Sequence, residues 1–140
     1  MNKEEFLSII TEEEYVGLNE PTTDAQIAMV NMKLQKSGLP KLPAEFADLL
    51  KLYNGMSNDG NVIFGINTDT AFFPDLLDFN SKIVSLSSEP VDCLILGHDE
   101  EFLLAWYPQE EVYRIIDSDD FSEYRLAPDL FWAIMWILKI

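Results

Sequence analysis

The spacing of hydrophobic residues changes near the middle of the chain. In the first half they recur at helical intervals, as in Ile27, Val30 and Leu34, which is the pattern of a helix with one buried face. In the second half they form short continuous runs, such as 93–96 and 102–106, separated by polar residues. Runs of this length indicate strands that are covered on both faces or that expose one face for binding. The pattern predicts helices first, strands next and one closing helix.

Up to residue 80 the chain is expected to contain four helices and one strand. Thr22 or Thr23 caps the second helix, because either hydroxyl can accept a hydrogen bond from the first turn, and Pro43 suits the first position of the third helix. We expect residues 81–90 to be irregular, with a brief strand near 83–84 as the alternative. The predicted elements are, in order, helix 2–14, a turn-rich break at 17–23, a helix ending at 36, helix 43–53, loop 56–61, strand 62–66, loop 67–75 and helix 74–80.

The second half predicts an antiparallel meander. Strands at 92–97, 101–107 and 111–116 are joined by polar connections of three residues each, which are short enough for hairpins. A short further strand is expected near Tyr124 and Leu126, and helix 129–139 closes the chain. The order favours an α+β fold, with helices packed on one side of a mainly antiparallel sheet. Residues 1–140 fit one domain.

One segment carries a recognisable motif. Residues 42–55 read Leu-Pro-x-x-Phe-x-x-Leu-Leu-x-x-Tyr-Asn-Gly and are followed by a strand that ends Phe64-Gly65. This pattern resembles the SUKH superfamily, which comprises the cell-wall-assembly-regulator-like domains of fungi and, mostly, immunity proteins of bacterial toxin systems. The resemblance continues through 95–99, 102–106, 112–117 and 129–132. It implies the SUKH fold and neutralisation of a toxin by tight one-to-one binding.

Charge narrows the classes of partner. The chain has 25 acidic residues against 9 basic ones, a net charge of −16. Nucleic acid and anionic membranes require a basic face, so neither is expected as a direct partner. An acidic surface attracts basic proteins, and toxin nucleases tend to be basic because they bind phosphate. Acidity that serves only solubility is the alternative. The N-terminus has no signal-peptide pattern and the one cysteine suits a reducing compartment, so we expect a cytoplasmic protein.

Signals for catalysis are sparse. His98 is the only histidine and Cys93 the only cysteine. A serine near the histidine would complete a triad only in a context that the sequence does not show. Residues 117–120 superficially resemble a calcium loop but lack its central glycine, so a turn in which Asp and Ser bond to the backbone is favoured. The pairs at 99–101 and 110–111 lie in turns at opposite ends of the meander. We expect no cofactor and no metal.

The sequence therefore predicts a non-catalytic immunity protein that binds a basic nuclease or deaminase toxin. Acidic turns would steer the partner, and exposed aromatic side chains would anchor it. A regulatory or scaffold interaction module is one alternative, and an enzyme acting on a small cationic or sugar substrate is another. Oligomeric state is left open. The candidate contact residues are Asp99, Glu100, Glu101, Asp117, Asp119 and Asp120 for steering, and Trp106 and Tyr113 for anchoring.

Overall fold

The computed structural model describes residues 1–68, 70 and 72–140. Within these residues the chain forms five helices and seven strands. The predicted loop at 67–75 includes Asp69 and Ala71, which lie outside the described residues. The elements are α1 (Lys3–Glu12), β1 (Gly17–Leu18), α2 (Asp24–Lys36), α3 (Ala44–Leu50), β2 (Met56–Asn58), β3 (Asn61–Ile63), α4 (Leu76–Leu86), β4 (Leu94–His98), β5 (Phe102–Tyr107), β6 (Val112–Asp117), β7 (Glu123–Ala127) and α5 (Leu130–Leu138).

The strands form one antiparallel sheet in sequence order, from β1 at one edge to β7 at the other. The predicted α+β fold, with N-terminal helices, an antiparallel meander and a closing helix, is confirmed. Two short strands, β1 and β2, occupy the first residues of the break predicted at 17–23 and of the loop predicted at 56–61, and the rest of both segments is irregular or turn except Asn61, the first residue of β3. The two strands contain only two and three residues, too few to show an alternation of side chains. The buried apolar side chains from α1 to α5 form one cluster.

Helices contact both faces of the sheet near β4 and β5. Leu103 pairs with His98, so the two share a face, and the His98 ring stacks on Phe79 of α4. Phe102 points to the opposite face, because successive strand residues alternate, and its ring contacts Trp136 of α5. Helices therefore cover both faces of β4 and β5, which explains their continuous apolar runs, and are not confined to the one side that the order of elements predicted.

The irregular structure predicted for residues 81–90 is confirmed for 87–90 but wrong for 81–86, and the brief strand near 83–84 is wrong. Helix α4 continues to Leu86. Its first turn is capped by Asp75, whose side chain accepts a hydrogen bond from the backbone of Asp78. The buried position in the middle of α4 is polar: Asn80 is 1% exposed. That residue interrupts the apolar stripe on which the sequence prediction relied.

The motif of residues 42–55 is architectural. Pro43 is the N-cap of α3 rather than its first residue, and the helix is shorter than predicted. The buried Asn54 amide donates to the Ile66 carbonyl and accepts from the Ile66 N–H, both at 2.8 Å. A Cβ added to Gly65 would lie 2.3 Å from the Asn54 carbonyl oxygen, so this position admits only glycine. The motif fixes the junction between α3 and β3.

In the part of the chain that the structure describes, every helix is too short or too polar to cross a membrane.

Candidate binding site at the acidic end of the sheet

Three hairpin turns meet at one end of the sheet. They join β2 to β3, β4 to β5 and β6 to β7, and strand pairing holds them side by side. The last two are also linked directly, because the Ser118 N–H donates to the Glu101 carbonyl at 3.1 Å. Seven carboxylates lie in or beside these turns and define what we call the acidic end: Asp59, Asp99, Glu100, Glu101, Asp117, Asp119 and Asp120.

Asp99 organises the turn between β4 and β5. Its Oδ1 accepts from the backbone N–H groups of Glu101 at 2.8 Å and Phe102 at 2.7 Å. Its Oδ2 lies 2.6 Å from the Lys139 Nζ. Burial alone would raise the pKa of Asp99, but the hydrogen bonds from Lys139, Glu101 and Phe102 outweigh it, so the pKa lies below its ordinary value. The prediction of Asp99 as a steering charge is corrected: it is a buried structural carboxylate.

The exposed charge of the same turn belongs to Glu100 and Glu101. Both side chains are exposed, and neither forms an ion pair within residues 1–68, 70 and 72–140. These two predicted contact residues are therefore placed where a partner can reach them.

The turn between β6 and β7 is built by its own side chains. Asp117 Oδ1 accepts from the backbone N–H groups of Asp119 at 2.8 Å and Asp120 at 3.2 Å. Asp120 Oδ1 accepts from the Ser122 hydroxyl at 2.7 Å and N–H at 2.9 Å, and these bonds lower the pKa of Asp120. This is the predicted turn in which Asp and Ser bond to the backbone. The turn presents the exposed carboxylates of Asp119 and Asp120 next to Glu101.

An aromatic cluster that the sequence did not predict lies beside these carboxylates. The Phe102 ring is 4.5 Å from that of Tyr124 and 5.4 Å from that of Trp136. Tyr124 is 60% exposed. The three rings come from β5, β7 and α5, so only the register of the sheet and the path of α5 bring them together. One local signal was available: Tyr124 follows closely on the turn between β6 and β7.

The two predicted anchors lie at the other end of the sheet. Trp106 is five residues along β5 from Glu101, which is about 17 Å in a strand. It is half-buried, pairs with Tyr113 at 4.7 Å between ring centroids, and lines an open groove of about 640 Å³. Tyr113 is 6% exposed and its hydroxyl donates to Glu45 at 2.7 Å. The prediction of Tyr113 as an exposed anchor is therefore wrong: its ring belongs to the core.

The candidate catalytic groups are packed into the fold. The half-buried His98 ring lies against Phe64 and Phe79, and its Nδ1 is 3.2 Å from the Asp99 carbonyl oxygen. Cys93 is 1% exposed, and burial raises the pKa of its thiol to about 11. A thiol with that pKa is protonated at neutral pH and is a poor nucleophile. The described residues also contain no group of three or more His, Cys, Asp or Glu side chains arranged to hold a metal ion.

A scan against models of protein families and a search of curated proteins found no match for this chain.

Proposed function

We propose that this chain is a non-catalytic protein-binding domain that docks a basic partner on its acidic end. The observation that carries the proposal is the convergence of exposed carboxylates from neighbouring turns beside an exposed aromatic cluster. Protein interfaces combine a buried aromatic anchor with a charged rim in this way. The resemblance to the SUKH superfamily suggests the partner: a bacterial nuclease or deaminase toxin that the domain neutralises in the cytoplasm.

Electrostatic steering is the first step of the proposed binding. Glu100, Glu101, Asp119 and Asp120 are all exposed and lie on adjoining turns. Charges spaced more closely than the Debye length, about 8 Å at physiological salt, add their fields before screening reduces them. The C-terminal end of α5 reaches the same region, since the Leu138 carbonyl accepts from the Asn58 side chain at 2.7 Å. The negative end of the helix dipole reinforces the potential there.

Anchoring by Tyr124 is the second step. Its ring is packed against Phe102 and lies 5.9 Å from the Trp136 ring, and the residue is 60% exposed. A tyrosine that is already held in place loses little side-chain entropy when a partner covers it. A basic toxin bound here would have its phosphate-binding surface occupied by carboxylates, which accounts for neutralisation without any chemical step.

Complex formation with the product of the adjoining gene tests this proposal. The purified chain and that product should elute together from size-exclusion chromatography, with a mass equal to one copy of each, and the toxin should lose its activity at equimolar ratio. Separate elution, or a complex in which the toxin stays active, would contradict the immunity role. A complex with a host protein instead would favour the regulatory module.

A further inference from the structure

We infer that a pocket at the acidic end binds the guanidinium group of an arginine on the partner. The pocket has a volume of about 240 Å³ and lies between the turn joining β2 to β3, the turn joining β4 to β5 and the end of α5. This inference rests on the proposed function, because it names the side chain by which the basic partner is held. It is carried by the acceptors in the pocket, by one buried amide and by the position of Lys139.

The acceptors come from two directions. Asp59 lies on the turn between β2 and β3, and Glu100 and Glu101 lie on the turn between β4 and β5. In the described part of the chain, none of these three carboxylates forms an ion pair. The pocket is thus lined from both sides by groups that only accept hydrogen bonds when ionised.

The buried amide belongs to Asn61, the first residue of β3. Asn61 is 9% exposed and lines the pocket. Its side chain has no hydrogen-bond partner among the residues that the structure describes, whereas the comparably buried Asn54 and Asn80 side chains each form several hydrogen bonds. Among the described residues, the side-chain atoms that are sealed from solvent without a partner do not include those of Asn61, so its amide is open to the pocket. A donor placed there replaces water at the Asn61 carbonyl oxygen.

Lys139 leaves room for a second cation. Its Nζ lies 2.6 Å from Asp99 Oδ2 and 4.2 Å from the centre of the Trp136 ring. Both contacts hold the ammonium at the α5 side of the pocket, where it neutralises Asp99 alone. Asp59, Glu100 and Glu101 keep their charge, so the pocket remains negative with Lys139 in place.

The arrangement favours a guanidinium over an ammonium. A guanidinium presents five N–H donors in a plane, so it can meet acceptors on opposite sides at once, and it is less strongly hydrated than an ammonium. Carboxylates bind it through paired hydrogen bonds. Phe102 also lines the pocket, as the residue that follows Glu101. An arginine side chain from the partner satisfies each of these groups.

A titration followed by nuclear magnetic resonance tests the pocket without the partner. N-acetyl-argininamide is added to the full chain, and the side-chain amide signals of Asn61 are followed. We expect saturable shifts with a millimolar dissociation constant. N-acetyl-citrullinamide, a neutral compound of nearly the same shape, should bind at least tenfold more weakly, and N-acetyl-lysinamide should be weaker than the arginine compound.

Two variants complete the test. Asn61→Leu should weaken argininamide binding about three- to tenfold, the effect of one lost hydrogen bond, while Gln109→Leu at the opposite end of the sheet should leave it unchanged. Glu101→Gln, at an exposed position that the fold does not need, should also weaken argininamide binding. This second variant keeps the test valid if Asn61→Leu does not fold. Unshifted Asn61 signals, or equal shifts with citrullinamide, would show that the pocket does not bind a guanidinium group. If the chain forms a complex with the partner but the Asn61 signals do not shift, the pocket is wrong and the proposed function stands. If the Asn61 signals shift but no complex forms, the proposed function is wrong and guanidinium binding stands.

Discussion

At the scale of single residues, the acidic end separates carboxylates that hold the fold from carboxylates that face solvent. Asp99 and Glu100 are neighbours in sequence, yet the first is buried against Lys139 and two backbone N–H groups and the second is exposed. A buried, hydrogen-bonded carboxylate is costly to disturb. Substitutions at adjacent positions should therefore affect different properties.

Asp99→Asn should destabilise the protein by about 1–3 kcal/mol at pH 7, because it weakens bonds from a charged donor and two N–H groups. The folded pKa of Asp99 is lower than its unfolded value near 3.9. The stabilisation is therefore fully present above about pH 5 and is lost as pH falls through the folded pKa. Urea denaturation from pH 7 to pH 2 should show the difference between wild type and variant shrinking in acid.

Glu100→Gln is the matched control for that series, because its side chain is exposed. It should stay within about 0.5 kcal/mol of wild type at every pH. A difference between Asp99→Asn and wild type that remains constant down to pH 2 would contradict the assigned role of the Asp99 charge.

Tyr124→Ala should weaken binding of the partner about tenfold or more, as expected for an aromatic anchor. The free energy of unfolding should fall by no more than about 1.5 kcal/mol, since the ring is 60% exposed and mainly loses its contact with Phe102. Isothermal titration calorimetry and urea denaturation measure the two quantities. Phe72→Ala removes a 72% exposed ring in the segment beyond the far end of β3, and it should leave affinity unchanged. Equal losses in both variants would exclude Tyr124 as the anchor.

At the scale of elements, side-chain amides complete the sheet where strand pairing stops. β3 pairs with β4 only at Gly97 and His98. At Ile95, the Asn80 side chain of α4 takes the place of a strand: it accepts from the Ile95 N–H at 2.8 Å and donates to the Ile95 carbonyl at 2.9 Å. This amide joins α4 to the edge of β4.

Asn80→Ala should destabilise the protein by about 2–5 kcal/mol, because it leaves two buried backbone groups of Ile95 without partners. Ser85→Ala, on an exposed part of the same helix, should change stability by no more than about 0.5 kcal/mol. Urea denaturation of the two variants checks the expectation. Similar stabilities would show that Asn80 is dispensable for the α4–β4 contact.

Helices and strands with a clear pattern of apolar residues could be predicted from the sequence, and those without such a pattern could not. Strands β4 to β6 and helix α5 are close to their predicted bounds, since their apolar runs and polar turns are clear. The second half of α4 was missed because Asn80 is polar and buried. The Tyr124 cluster and the Asn61 pocket were missed because each brings together residues from separate elements, and only sheet register defines such contacts. The exposed turn acids were found because local sequence determines hairpin turns.

At the scale of the whole molecule, the acidic residues behind the net charge of −16 are unevenly distributed between the two ends of the sheet. Alternate hairpin turns of a meander lie at the same end, so acids placed in three such turns add to one local field. Glu110 and Glu111 occupy the turn at the opposite end, where Glu110 pairs with Arg114 at 3.1 Å. The asymmetry predicts that a basic partner approaches from the acidic end.

Two triple variants of equal charge separate this directional effect from net charge. Glu100→Gln, Glu101→Gln and Asp119→Asn neutralise the acidic end. Glu4→Gln, Asp92→Asn and Glu111→Gln neutralise three exposed carboxylates elsewhere, for which no ion pair occurs in the described residues. Both variants lose the same net charge, so a difference between them reports where the charge lies.

The most direct measurement is the rate constant of association with the product of the adjoining gene, followed by stopped-flow fluorescence from about 10 mM to 500 mM salt. For wild type the rate should fall steeply with salt. The acidic-end variant should associate about tenfold more slowly at low salt and depend less on salt, while the matched variant behaves like wild type. A wild-type rate that is independent of salt, or equal rates for the two variants, would contradict binding at the acidic end.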